Sequence, residues 1–193
     1  MPTAETSSSR ELFGGAIAAD IPTAWKDVSD FRQVPDNQEV FVSPESDASG
    51  EVSLIVEVLQ RVEPADPDAA VRFHFDSIAH DNSAEASSVS RTWTSAAGTA
   101  SQTDTPTPVL LHGTQKVRKF GRESERAQTV QIWVALWRIE AKGIDLVLSV
   151  NAAGTGTATA MGISAGESED DGVGRIFERA ASTLRILDHG LFA

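Results

Sequence analysis

The hydrophobic positions of this chain follow two periods. Over residues 129–140, Val130, Ile132, Val134 and Leu136 alternate with Trp133, Ala135, Trp137 and Ile139. Both sets are apolar, which predicts a central strand sandwiched between two layers. Residues 144–150 alternate differently, with Ile144, Leu146, Leu148 and Val150 on one face and Asp145 and Ser149 on the other. The two strands join around Lys142-Gly143, and so short a connection pairs them antiparallel. Residues 52–62 are rich in Val, Leu and Ile at both sets of positions. That marks a third strand covered on both faces, although periodicity alone leaves a helix open. Residues 15–21, 39–42 and 109–117 give three more strands. Pro22 stops the first, and Gly113 marks a bulge or a close approach in the last.

The other period is helical. Asp66-Pro67 sets a capping carboxylate before a proline at the first helical position. Val71, Phe75 and Ile78 then recur on one face, widened by Ala79, so residues 67–80 read as a helix. Residues 172–187 form a second, with Val173, Ile176, Phe177, Ala180, Leu184 and Leu187 on one face. The acidic run Glu169-Asp170-Asp171 suits the positive end of its dipole. An antiparallel sheet with helices on both faces, an α/β (α+β) architecture, accommodates these elements. Residues 1–11, polar and rich in Ser and Thr, are expected to be a disordered tail. Residues 12–193 are expected to form a single domain with flexible insertions near 81–108 and 151–172. Within the first insertion, 96–107 is the most mobile portion, and 27–36 reads as irregular chain or a short helical turn.

Charge narrows the function. Asp and Glu total 28 against 16 Lys and Arg, a formal net charge of −12 at pH 7. Such a surface repels phosphate backbones and anionic headgroups, so neither nucleic acid nor membrane is the expected partner. The absence of cysteine removes disulfides, thiolate nucleophiles and cysteine zinc sites. The first twelve residues hold no apolar signal core, and the expectation is a soluble, intracellular domain. His74, His80, His112 and His189 are spaced too widely for a metal site and read as ordinary surface or helix histidines. Gly154-Thr155-Gly156-Thr157 lacks the lysine of a phosphate loop, Gly14-Gly15 lacks dinucleotide spacing, and no serine sits in a Gly-x-Ser-x-Gly elbow. Neither a catalytic constellation, a cofactor nor a metal is expected.

The charge is also unevenly placed. Residues 1–60 hold eleven acidic and three basic residues, a net −8. Asp27, Asp30, Asp36 and Glu39 fall within 13 residues of turn-rich chain. Such carboxylates cap turns, hold a hard cation or present an anionic patch to a basic protein surface. The spacing does not match a calcium loop. Trp25 and Phe31 flank the cluster, as an interface anchor or as cover for one end of the core. Downstream, Lys116, Arg118, Lys119, Arg122 and Arg126 form a basic run, read as a solvated hairpin or as an internal electrostatic partner of the acidic segment.

Three strings in this region resemble a known family. Leu12-Phe13-Gly14-Gly15-Ala16, then Asp27-Val28-Ser29-Asp30-Phe31-Arg32, then Val34-Pro35-Asp36-Asn37-Gln38-Glu39-Val40-Phe41 are similar to the N-terminal signature of the Mog1 family, in a fungal-type form. Looser matches follow at Ser53-Leu54-Ile55-Val56-Glu57-Val58-Leu59, Arg72-Phe73-His74-Phe75-Asp76, Gly113-Thr114-Gln115-Lys116-Val117 and Asp145-Leu146-Val147-Leu148-Ser149-Val150-Asn151. The resemblance implies a curved antiparallel sheet with helices on both faces, similar also to PsbP proteins. It implies a monomeric, non-enzymatic protein that binds the GTPase Ran and promotes release of its guanine nucleotide. Its setting would be transport between nucleus and cytoplasm, with a second Ran-binding protein left open as a further partner. The Ran contact would fall on Asp27, Asp30, Asp36, Asn37, Gln38 and Glu39, with Trp25 beside them. A carboxylate-based metal-binding or acid–base enzyme, and a PsbP-like scaffold without Ran contact, are the alternatives.

Overall fold

The structure is a computed structural model that describes residues 6–44, 52–95, 104–118, 127–153 and 172–192. Its first strands are β1 (Ser7–Leu12), β2 (Ile17–Pro22), β3 (Lys26–Asp27), β4 (Gln38–Val42) and β5 (Val52–Gln60). Helix α1 (Pro67–Asp81) precedes β6 (Ala86–Thr94), β7 (Val109–Val117), β8 (Gln128–Ile139) and β9 (Ile144–Ala153). Helix α2 (Gly172–Thr183) and β10 (Arg185–Ile186) follow. The strands form a seven-stranded sheet ordered β3-β4-β5-β9-β8-β7-β6 and a three-stranded sheet ordered β1-β2-β10, with antiparallel pairing throughout.

The alternation in β8 decides how the layers stack. Trp133, Ala135, Trp137 and Ile139 pack with Leu146, Leu148 and Val150 of β9, under α2 and the three-stranded sheet. Ile132, Val134 and Leu136 face the other way with Val147, under Ala70, Val71 and Phe75 of α1. Both helices sit where the apolar stripes place them. Asp66 Oδ2 accepts from the Ala69 amide at 2.8 Å, so α1 starts at the expected cap with Pro67 in its first turn. At Gly113 the bulge and the close approach occur together. The register shifts between Val89 and Arg91 of the facing strand, and a side chain at Gly113 would sit 2.6 Å from the Ser88 carbonyl and 2.8 Å from the Phe75 ring.

Six expectations change. The polar segment before Leu12 is not a free tail from Ser7 onward, because β2 supplies its partner from Ser7↔Pro22 to Leu12↔Ile17. β5 buries Val52, Leu54 and Val56 on one face, but its opposite face is only half covered. Residues 86–94 of the first insertion form β6, an edge strand paired along β7. Within 96–107, Thr105 is buried and its Oγ1 accepts from the Ile186 amide at 2.8 Å, while 96–103 lies outside the described residues. Asn151–Ala153 belong to β9 rather than to a soft segment, and 154–171 lies outside the described residues. The last helix ends at Thr183, where the chain crosses to pair Ile186 with Ile17. Leu187 is exposed as a result.

The α1 face of β9 carries one fully buried carboxylate. Asp145 Oδ2 lies 2.9 Å from His74 Nε2 and accepts from the Val62 amide at 3.1 Å, and Oδ1 accepts from Arg138 Nε at 3.0 Å. Arg138 also donates to the carbonyls of Val62, Pro64 and Ala65. The β5–α1 connection is thereby tied to both central strands. Burial alone would raise the Asp145 carboxyl. The hydrogen bonds from His74, Val62 and Arg138 outweigh it and hold the carboxyl below its ordinary value. A depressed folded-state value means the stabilisation is present above the ordinary carboxylate value of 3.8 and is lost as pH falls below it.

Two outcomes follow for urea unfolding. Asp145→Asn leaves the buried Arg138 guanidinium without its counter-charge and should lower stability at pH 7 by about 3–5 kcal/mol. The loss should narrow as pH drops below 4, because the parent then surrenders the same interaction. Gly113→Ala forces β6 or Phe75 aside and should lower stability by about 1–3 kcal/mol at any pH.

Candidate functional site

The acidic segment forms the β3–β4 end of the large sheet, and residues near the N-terminus fix its shape. Arg10 of β1 donates from Nη2 to the carbonyls of Pro22, Thr23 and Trp25 at 3.1, 3.0 and 2.8 Å. Its guanidinium also lies 5.2 Å from the centre of the Phe41 ring. This one side chain gathers the β2–β3 turn over β4. The β1–β2 turn is the second clamp. Phe13, Gly14 and Gly15 all take positive φ, at 51°, 65° and 93°, a conformation that two glycines accept readily and a phenylalanine does not. The Phe13 amide donates to Glu39 Oε1 at 2.6 Å, and this charge-assisted bond offsets the strain.

The segment itself is pinned at several points. Asp27 Oδ1 accepts from the Ser29 amide at 2.8 Å and from the Ser29 hydroxyl at 2.6 Å, capping a 3-10 turn at Val28–Asp30. Val28 is buried beneath that turn. Asn37 exchanges two bonds with Val58, its carbonyl accepting at 2.9 Å and its Nδ2 donating at 3.2 Å. Gln38 Nε2 donates to Glu57 Oε1 at 2.6 Å on the α1 side of the sheet.

The seven residues expected to form the contact therefore separate into three groups. Asp30 and Asp36 are exposed, and their carboxylates make no hydrogen bond or ion pair among the described residues. Asp27, Asn37, Gln38 and Glu39 shape the surface while staying partly or wholly exposed. Trp25 is a correction. It is 2% exposed and belongs to the main core, so it supports the segment from beneath. Phe31 takes the exposed position instead, at 70%. Burial pushes the Glu39 carboxyl above its ordinary range; the Phe13 N–H opposes this, and the nearby Asp27 charge adds to it. Glu57 is raised as well, by burial first, against the Gln38 bond and the His74 charge and with Asp81 adding.

The two described members of the basic run do not neutralise this segment. Lys116 and Arg118 lie at the end of β7, four strands from β4, roughly 19 Å at ordinary strand spacing. Arg118 pairs with Glu85, while Lys119, Arg122 and Arg126 lie outside the described residues. Among the described residues no group of three or more His, Asp or Glu is placed to hold a metal ion. His74, read as ordinary, is the buried partner of Asp145. The stripe Val71, His74, Phe75, Ile78 held the signal, since helical spacing puts His74 on the apolar face.

Comparison with known proteins places this geometry. The profile of a family described as Ran-interacting Mog1 protein matches residues 10–153, which span both clamps and the acidic segment. A zebrafish (Danio rerio) Ran guanine nucleotide release factor is 30% identical over 95% of this chain and 99% of its own. A human Ran guanine nucleotide release factor is 36% identical over 72% of this chain and 73% of its own. The solved structure of the Saccharomyces cerevisiae Ran-binding protein Mog1p superposes with a TM-score of 0.74 at 26% identity, covering 98% of this chain and all of that one. With the family profile covering most of the chain and full-length relatives at this identity, the chain belongs to the Mog1 family.

Proposed function

We propose that this protein binds the GTPase Ran through its β3–β4 end and promotes release of guanine nucleotide, in the service of transport between nucleus and cytoplasm. It acts by binding, as a monomer, with no chemistry of its own. The observation that carries the reading is the pair of exposed carboxylates, Asp30 and Asp36, on a segment otherwise fixed by Arg10, the Phe13–Glu39 bond and the Asp27 cap. The names of these two relatives support the partner and the activity.

The physical requirement is modest. A tenfold loss of nucleotide affinity needs about 1.4 kcal/mol of coupling, and linkage makes the effect reciprocal. Whatever weakens nucleotide must itself be weakened by nucleotide. Hydrogen bonds to charged groups contribute about 1.5–3 kcal/mol each, so one or two carboxylate contacts suffice. Unpaired carboxylates on a rigid edge suit this task, because they form such bonds without first breaking internal ones.

Release of a fluorescent guanine nucleotide from purified Ran tests the proposal. The parent protein should accelerate release, and added salt should weaken the effect. Asp30→Lys with Asp36→Lys should abolish most of the acceleration while the unfolding free energy from urea titration stays within the range of ordinary surface substitutions, about 0.5 kcal/mol. Full activity of that folded variant rejects the surface. A parent without effect rejects the function.

A further inference from the structure

We infer that Phe31 is a contact residue of the Ran-binding surface, its ring receiving the alkyl stem of a partner lysine or arginine whose charged head passes to Asp30 or Asp36. The inference rests on the function proposed above and adds an apolar anchor to a surface so far defined by charge.

Among the described residues, Phe31 is the most exposed of the large hydrophobic side chains, at 70% against 53% for Leu187 and 48% for Phe73. A lone exposed apolar side chain needs no explanation by itself. Three observations set this one apart. Its backbone is held, not loose: the Phe31 and Arg32 amides both donate to the Val28 carbonyl at 3.0 Å, and Val28 is rooted in the core. The ring is therefore presented from a fixed point, which lowers the ordering cost of a contact. Next, the ring already lies beside a cation. Lys26 Nζ is 6.0 Å from its centre, at the outer limit of a cation–π contact. Finally, Asp30 precedes it in the chain and Asp36 follows within the same pinned segment, both exposed.

The three groups together define the occupant. A purely apolar partner would leave Asp30 and Asp36 desolvated and unpaired, which opposes binding. A small cation would leave the ring in water. A long basic side chain satisfies both, because its stem covers apolar surface while its head stays polar. Lys26 sits at the ring with the same charge as that head, so it must swing aside as the partner enters. Partner recognition thus divides between an apolar term at Phe31 and an electrostatic term at the two carboxylates.

That division is measurable. Affinity for purified Ran is determined across a salt series for the parent, Phe31→Ala, Phe31→Leu and Asp30→Asn with Asp36→Asn. Phe31→Ala should weaken binding roughly tenfold at every salt concentration with the slope of log Kd against log salt unchanged. The Asn pair should flatten that slope. Phe31→Leu, which keeps an apolar platform, should recover most of the affinity. Urea unfolding of Phe31→Ala should match the parent, because the ring supports nothing beneath it. Binding by Phe31→Ala within about twofold of the parent overturns the inference and leaves the proposed function standing. A parent dimer that Phe31→Ala dissolves also overturns it, by assigning the ring to a contact between copies. Failure of the parent to bind Ran overturns both proposals, and the parent control makes that case distinct.

Discussion

A strand that is apolar on both faces cannot be satisfied by one cover, and β8 imposes that demand on everything around it. Its α1 side holds Ile132, Val134 and Leu136, and its other side holds Trp133, Ala135 and Trp137. Two separate layers must be recruited, one from the middle of the chain and one from its ends. Helix α1 packs across β6, β7 and β8 and reaches β9 through Val147 and Asp145, so it supplies the first. The second needs more area, and β1, β2, α2 and β10 assemble it jointly, with Arg179 bound to Asp20 and Thr183 bound to the Asp20 amide between them. The edges of the sheet are consequences. β6 closes one side with Ser, Thr and Arg side chains and a register shift, devices that discourage further pairing. β3 is only two residues long, so the other side ends in turns rather than in a strand, and those turns carry the acidic segment.

Two carboxylates show how burial and bonding divide structural from functional charge. Asp145 is the more deeply buried, yet its value is lowered, because His74, the Val62 amide and the Arg138 guanidinium all bond to it. Glu39 is less buried, yet its value is raised, because burial outweighs its one amide donor and the nearby Asp27 charge adds to it. Asp145 is thus fully committed to joining α1 and the β5–α1 connection to the sheet. Glu39 is committed on one side only, since it holds the Phe13 turn while remaining partly exposed. Residues 13 and 39 also belong to different strings of the family signature, and this clamp joins the first of the three strings to the third across 26 residues.

The sequence was legible where a single element decides its own environment. The two faces of β8, the Asp66 cap and the stripe of α1 follow from local spacing, and each is found where it was read. Legibility failed where a distant partner decides. β1 is Ser-Ser-Ser-Arg-Glu-Leu, with no apolar alternation, and is a strand only because β2 lies beside it. The His74–Asp145 contact spans 71 residues, so neither residue announces it alone. In the acidic segment the charges were visible but their division was not. Trp25 and Phe31 lie in irregular chain without a period, so nothing local could say which ring would be buried. Arg10 settled it by drawing the Trp25 carbonyl down onto β1, and Arg10 itself lay in a stretch read as tail.

The same division bears on how a binding surface can loosen a nucleotide. Carboxylates and phosphate oxygens are alike to a lysine or an arginine, both being anionic acceptors at charge-assisted distances. In the proposed contact, a partner basic residue turned toward Asp30 or Asp36 would no longer hold phosphate, and that antagonism would be the reciprocal coupling that release requires. It works only if the competing carboxylates hold their ground, since a flexible acidic loop would bend toward the nucleotide-bound arrangement instead of opposing it. The backbone bonds at Val28, Asn37 and Pro35 and the Phe13–Glu39 clamp remove that freedom. In the proposed mechanism the strained turn at Phe13 and the polar strand at Arg10 serve to fix the backbone beneath the two exposed charges.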